Sequence, residues 1–306
     1  MKKDNSTQKL ISLVDIDDPE TIFHEVEIIL HSIDPSFSIK EISHVFQDII
    51  RLFEGNYPGF QACNTEYHDL RHTMEVFLAT ARLIHGAFVD GKLLSEKMIN
   101  IDIISALMHD TGYNQTLDDT SGTGAKYTND HILRSIDFCN HYFAGHPSFA
   151  NEWKSFGDIL LCTGFTERIN EIRFLNQEVE TAGKILGTAD LLGQMADRLY
   201  LEKLLFLYYE FKEAGIAGYE NEYDLLSKTL QFYHVTLNRM EYDLGSVYKH
   251  MKLHFRVRWG IDSDLYIESI NNNIEYLKQV IRHEEYTSLL RRGGIVERIK
   301  MRGLQA

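Results

Sequence analysis

The chain has 306 residues, of which 44% are hydrophobic and 25% charged; this is ordinary for a soluble globular protein and excludes a disordered or collagen-like chain. With 31 basic and 45 acidic residues the net charge is −14, which disfavours binding to the phosphate backbone of long nucleic acids. No apolar run reaches the roughly 18 residues that a membrane span needs, and no signal-peptide core follows Met1, so we expect a cytoplasmic protein. The three cysteines have no metal-binding spacing and are expected to be free thiols.

In chain order, the first predicted helix begins at Asp18-Pro19-Glu20, which supplies an N-cap, a proline at the first helical position and an acidic first turn. Asp34-Pro35 predicts the turn that ends this helix. Ser38 and Glu41 have the spacing of a capping box, which predicts the start of the second helix. From there, helices are predicted at about residues 38–54, 66–90, 95–110, 128–144, 150–164, 178–193, 196–214, 222–242, 244–258, 262–283 and 285–300.

No alternating pattern is long enough to predict a strand, and no linker divides the chain. The predicted fold class is therefore all-α, as a single multi-helix bundle. We expect residues 1–18 to form an N-terminal tail, residues 19–260 to form a helical catalytic domain, and residues 261–306 to form C-terminal helices packed on it.

Histidines and aspartates cluster at three points of the sequence. Tyr67-His68-Asp69-Leu70-Arg71-His72 opens an apolar helix and places two histidines four residues apart, on one helix face. His109-Asp110 closes another apolar helix, with Gly112 available as its C-cap. Asp190 stands alone in a third apolar helix, where a carboxylate is costly unless it is paired or metal-bound. Because about one His-Asp pair is expected from composition alone, the order and helix context of these clusters carry the argument.

These motifs resemble those of the HD-domain superfamily of metal-dependent phosphohydrolases, over about residues 60–195. The segment from Tyr67 to His72 resembles the Tyr-His-Asn-x-x-His motif of class I cyclic nucleotide phosphodiesterases, and Ala189-Asp190-Leu191 resembles their later Ala-Asp-Leu step. The resemblance implies an HD-domain-like bundle whose first metal is bound by His72, His109, Asp110 and Asp190. It also implies that His68 protonates the leaving alkoxide and that Asp110 bridges to a second metal.

The sequence departs from the phosphodiesterase pattern at several positions. The asparagine of the motif is Asp69 here, and a Thr-Asp step expected on a middle helix is Thr163-Gly164, which removes an acidic contact near the second metal. His131 stands where related enzymes carry a histidine near that metal, and both a second-metal ligand and a surface residue remain open for it. The glutamine that holds the purine has two candidates, Gln194 and Gln231.

Two imidazoles and two carboxylates suit a divalent Mn, Mg, Zn or Fe ion, and one ion or two are both compatible with the sequence. Such an ion makes hydroxide available near neutral pH, and a histidine one helical turn from a ligand is well placed as a general acid. The predicted function is a metal-dependent phosphohydrolase, specifically a phosphodiesterase acting on a small nucleotide or cyclic nucleotide. The alternatives are a di-iron oxygenase on the same scaffold and a non-catalytic metal- or ligand-binding regulatory module.

Overall fold

The structure is a computed structural model that describes residues 9–165 and 168–301. Within these residues the chain folds into a bundle of α-helices. The predicted all-α class is confirmed, since these residues contain helices and turns but no strand beyond a single β-bridge between Phe60 and Thr116. The outermost parts of the predicted N-terminal tail and C-terminal helices, residues 1–8 and 302–306, lie outside the described residues. The helices are α1 Pro19–Ile33, α2 Lys40–Phe53, α3 Leu70–Val89, α4 Glu96–Met108, α5 His131–Tyr142, α6 Trp153–Leu160, α7 Gln177–Ala196, α8 Tyr200–Glu213, α9 Glu222–Asn238, α10 His250–Trp259, α11 Leu265–Val280 and α12 Ile295–Met301.

The signals predicted for the first two helices had different outcomes. The Asp18 carboxylate accepts hydrogen bonds from the N–H groups of Glu20 and Thr21, both at 3.3 Å, and Pro19 opens α1 as predicted. The capping box predicted for α2 is wrong. That helix begins at Lys40 with no side-chain cap, and the N–H of Ser38 instead donates to Glu96 Oε1 at 3.3 Å. A partner 58 residues away therefore replaces the local cap.

Helix α3 is the centre of the bundle, because every residue from His72 to Ala87 is buried. It packs against α1, α4, α7 and α10, while α11 packs on α7. An α-helix buried all round needs neighbours on every side, which explains the absence of a polar face along α3. Helices α4 and α7 are almost as deeply buried, and the three together carry the polar residues of interest.

The C-terminal helix is shorter than predicted. Instead of a continuous helix over residues 285–300, two 3₁₀ turns precede α12, which starts at Ile295. Gly293 and Gly294 adopt φ values of 66° and 61°, and this left-handed backbone interrupts the helix. The apolar spacing of the segment conceals this break, because glycines are tolerated within a helical pattern at moderate cost.

No helix within residues 9–165 and 168–301 is long and apolar enough to cross a membrane. The three cysteines, Cys63, Cys139 and Cys162, are free thiols as predicted.

Candidate metal centre

The first histidine of the predicted motif precedes the helix rather than lying on it. Helix α3 begins at Leu70, and Asp69 is its N-cap, with Oδ1 accepting from the N–H of His72 at 2.9 Å. His68 therefore lies in the bend before the cap, so α3 begins four residues after the predicted start, and the prediction that His68 and His72 share one helix face is wrong. Asp69 also accepts a hydrogen bond from Lys203 Nζ at 3.0 Å, so the residue that departs from the phosphodiesterase motif anchors the start of α3 to α8.

Four predicted ligands come together from three helices. His72 projects from the first turn of α3, His109 and Asp110 directly follow α4, and Asp190 lies in the buried middle of α7. The Nε2 atoms of the two histidines are 3.3 Å apart. His109 Nε2 lies 3.2 Å from Asp110 Oδ2, and His72 Nε2 lies 3.1 Å from Asp190 Oδ1.

The donor atoms fit a divalent ion in both chemistry and spacing. His72, His109 and Asp110 each offer a ligand atom, and these atoms all lie within 4.8 Å of one another. Asp190 borders this group of three, with Oδ1 4.0 Å from His109 Nε2. Neighbouring ligands about 2.1 Å from one ion lie about 3 Å apart, close to the separations seen here. Asp110 Oδ2 is buried and has no hydrogen-bond partner, and a cation would satisfy it.

Second contacts fix the orientation of these imidazoles. The Nδ1–H of His109 donates to the carbonyl of Ala106 at 2.8 Å, which leaves the Nε2 lone pair facing the cluster. His131, at the start of α5, donates from Nδ1 to the carbonyl of Thr128 at 2.8 Å. Its Nε2 lies 4.0 Å from Asp110 Oδ1, whereas His72 and His109 approach the other carboxylate oxygen, Oδ2. The structure thus places the His131 imidazole beside Asp110.

Electrostatics favour positive charge in the cluster. Burial opposes ionisation of Asp110 and Asp190, but the neighbouring imidazoles outweigh it and lower the pKa of both carboxyls. Burial likewise opposes the charge of His109, yet the adjacent Asp110 raises its pKa to about 9. If His109 loses the proton on Nε2, a divalent cation bound there would take over its role and neutralise the carboxylates of Asp110 and Asp190.

His68 forms a separate pair with Glu210 of α8. Its Nδ1 lies 2.7 Å from Glu210 Oε2, and Glu210 Oε1 accepts the N–H groups of Glu66 and Tyr67. Burial opposes the charge of His68, but Glu210 outweighs it and raises the pKa of the imidazole. The other ring nitrogen of His68, Nε2, lies 3.5 Å from the Tyr113 hydroxyl.

Aromatic stacking connects His68 to the His131 side of the centre. The Tyr113 ring stacks on both imidazoles, with ring centroids 4.3 Å from His68 and 4.6 Å from His131, and the two imidazole centroids are 6.2 Å apart. The side chains of His68 and His131 are 14% and 19% exposed, whereas those of His72 and His109 are at most 3% exposed. The centre is therefore more open to solvent on the side of His68 and His131 than on the side of His72 and His109.

Three further sequence interpretations have clear structural outcomes. Gln194 donates to Asp190 Oδ1 at 3.3 Å and accepts from the Tyr67 hydroxyl at 3.0 Å, so it orients Asp190, while Gln231 is exposed. Gly112 is not the C-cap of α4. It lies in the following 3₁₀ turn, where a Cβ atom would stand 1.9 Å from the carbonyl oxygen of His131.

Sequence reasoning missed Glu210 and Tyr113. Glu210 is one acidic residue among 45 and lies 142 positions from its histidine, so no local signal marks it. Tyr113 follows the His-Asp pair closely, but only the packing of α5 against the turn after α4 shows that its ring stacks on His131.

A family model described as Npun_R2479-like matches residues 114–245, less than half of the chain. The matched range includes His131, Asp190 and Glu210 and begins after His109 and Asp110. No curated protein matches the chain. The family description names no activity, so the functional argument rests on the site itself.

Proposed function

We propose that this protein is a metal-dependent phosphohydrolase that cleaves the phosphodiester of a small nucleotide or cyclic nucleotide. The observation that carries the proposal is the separation of a ligand cluster from a possible proton donor. The donor groups of His72, His109, Asp110 and Asp190 form one cluster, and His68 lies beside it, paired with the carboxylate of Glu210. Ligands plus a separate proton donor are what hydrolysis of a phosphoester by water requires.

When bound, a divalent ion lowers the pKa of a coordinated water and polarises a phosphoryl oxygen. His72, His109, Asp110 and Asp190 would hold it, with His131 positioned for a second ion. His68 delivers a proton from Nε2 to the leaving oxygen, and Glu210 keeps the imidazole oriented and protonated. Tyr113 restricts the His68 ring by stacking on it, which maintains the direction of that proton.

The test combines metal analysis with a substrate panel. The purified protein is assayed with Mn²⁺, Mg²⁺, Zn²⁺ or Fe²⁺ against bis(4-nitrophenyl) phosphate, phosphomonoesters, cyclic nucleotides and nucleoside triphosphates. We expect divalent-ion-dependent hydrolysis of diesters. Silence across the panel, with metal bound and the helical circular dichroism spectrum intact, contradicts the proposal and favours a regulatory metal-binding module.

Asp190→Ala is the matching variant. It removes a charged donor from the cluster and is expected to lower metal content at least tenfold and to abolish activity. Asp102→Ala is the control, because it removes an equally buried carboxylate, from α4, that touches none of the cluster. Full metal content in Asp190→Ala contradicts the ligand assignment.

A further inference from the structure

A cavity of about 760 Å³ lies on the side of α3 and α7 that faces α11, beneath the N-terminal 3₁₀ turn Leu10–Ser12. Its volume is within the range of small-molecule sites in proteins. Its walls, as far as the chain is described, include none of the four predicted metal ligands, nor His68. The cavity is therefore distinct from the candidate metal centre, although it uses the same two helices.

One buried guanidinium in this cavity has incomplete partners. Arg82 of α3 is 2% exposed; its NH1 group donates to the Tyr266 hydroxyl at 3.0 Å, while Nε and NH2 have no hydrogen-bond partner. Among residues 9–165 and 168–301 no carboxylate oxygen lies within 4 Å of it. The Phe255 and Tyr266 rings, with centroids 5.5 and 5.7 Å away, hold the guanidinium in place.

An arginine keeps its charge inside a protein, and burial of that charge is costly unless an anion accompanies it. The free Nε and NH2 groups lie side by side, which is the geometry that binds a carboxylate through two parallel hydrogen bonds. The unused face of Arg82 therefore indicates an anionic ligand.

The rest of the wall restricts the ligand further. Aliphatic side chains line much of the cavity, which suits an apolar body. Glu75 and Asp197 also line it, and each has a buried oxygen without a hydrogen-bond partner among the described residues. Glu75 lies seven residues before Arg82 on α3, about 10 Å along the helix axis, and beside Asp197, whose carboxylate would repel a second negative charge at that end. The other charged residues of the wall are Lys9, Arg198, Glu268 and Arg292. The aliphatic residues are Leu10, Ile11, Val14, Ile16, Leu78, Ala196 and Leu265.

We propose that this cavity binds a small amphipathic monoanion, a carboxylate with an apolar chain, whose head group pairs with Arg82. The site is independent of the metal centre and of the proposed hydrolase activity. It adds to the protein a binding function for a ligand that is chemically unlike a nucleotide.

Isothermal titration calorimetry with octanoate, 1-octanol and the dicarboxylate suberate tests the proposal. We expect octanoate to bind one site per chain, and 1-octanol and suberate to bind at least tenfold more weakly. Arg82→Gln should weaken octanoate binding roughly 10- to 100-fold, the usual contribution of a hydrogen bond to a charged group, and leave 1-octanol binding unchanged. Arg256→Gln is the control, since this exposed arginine on α10 does not line the cavity.

A second variant covers the case in which Arg82→Gln does not fold. Ser269→Phe fills the cavity from α11 at a partly exposed position and should remove octanoate binding while Arg82 stays in place. Excess EDTA should leave the titration unchanged, because the cavity contains no predicted metal ligand. Equal affinity for octanoate and 1-octanol, equal affinity for octanoate and suberate, undiminished octanoate binding in either folded variant, or loss of binding in EDTA overturns the proposal.

Discussion

His68 and Glu210 form the pair whose chemistry can be separated from metal binding. The two residues are 2.7 Å apart, between His68 Nδ1 and Glu210 Oε2, and neither belongs to the possible ligand group of His72, His109 and Asp110. His68 can therefore be replaced without removing a predicted metal ligand. Its Nε2 atom does not contact Glu210 and lies 3.5 Å from the Tyr113 hydroxyl, and it is the atom expected to donate a proton.

We expect His68→Ala to retain its metal and its fold but to lose roughly 10²- to 10⁴-fold in kcat, the usual size of general acid catalysis. The measurement compares kcat on an alkyl phosphodiester and on a nitrophenyl phosphodiester, together with the metal content of the variant. The nitrophenyl ester should suffer less, since a good leaving group needs little protonation. Loss of metal in this variant would make His68 a ligand and contradict the assignment.

Glu210→Gln supplies the matched control through its pH dependence. Glutamine keeps the Oε1 acceptor for the backbone of Glu66 and Tyr67 but removes the charge that raises the pKa of His68. A general acid works only while protonated, so a lower pKa moves the basic limb of the kcat/KM profile to lower pH. If the basic limb of the kcat/KM profile stays at the same pH in Glu210→Gln, a group other than His68 is responsible for it.

Among single residues, His68, His72, His109, Asp110 and Asp190 could be nominated from the sequence, through short motifs, their helix context and a family resemblance. The sequence could not identify their supporting contacts. The partners of His68 and Asp69 are Glu210 and Lys203, which lie on α8 at separations of 142 and 134 residues. Such pairs depend on how helices pack, and a single sequence carries no local sign of it.

Among the helices, α4 contains an uncompensated polar residue. The Asp102 side chain is fully buried, and neither of its carboxylate oxygens has a hydrogen-bond partner. Burial raises the pKa of this carboxyl well above its usual range. The adjacent residues Ile101 and Ile103 are apolar, and within the described part of the chain no hydrogen bond offsets the cost of a charge there.

Asp102→Asn should therefore change the pH dependence of stability. Because the pKa of Asp102 is higher in the folded than in the unfolded state, its contribution is fully present below about pH 3.9 and is lost as pH rises towards the folded pKa. Relative to the variant, the wild-type free energy of unfolding should fall by about 1.4 kcal/mol per pH unit within that window. Urea unfolding of both proteins at pH 5 and pH 8 measures this difference, and identical pH slopes would contradict it.

The helices also show which local signals are decisive. The start of α1 was predictable because Asp18 and Pro19 act within one turn. The start of α2 was not, because Glu96 of another helix satisfies the backbone there in place of a capping box. The interruption before α12 depends on the left-handed conformation of Gly293 and Gly294, which apolar spacing does not register.

On the scale of the whole molecule, the all-α class followed from composition and apolar spacing, since both act along the entire chain. The positions of the predicted ligands in space did not follow from them. His72 and Asp190 are 118 residues apart in sequence, yet His72 Nε2 and Asp190 Oδ1 are 3.1 Å apart because α3 packs directly against α7. A sequence can nominate such residues, but their convergence is a property of the packed bundle.

That convergence predicts a link between metal binding and global stability. An ion held by residues of α3, α7 and the segment after α4 binds the folded chain far better than the unfolded one, so it stabilises the fold by mass action. At a free Mn²⁺ concentration 100 times the Kd, the gain is about 2.7 kcal/mol, which corresponds to a rise in Tm of about 4 °C for a chain of this size. Thermal unfolding followed by circular dichroism, with excess EDTA and with graded Mn²⁺, measures this rise. In Asp190→Ala the Tm should be the same in EDTA and in Mn²⁺, because the cluster has lost a charged donor. A wild-type Tm that is indifferent to both would mean that the four residues are paired with one another rather than arranged around an ion.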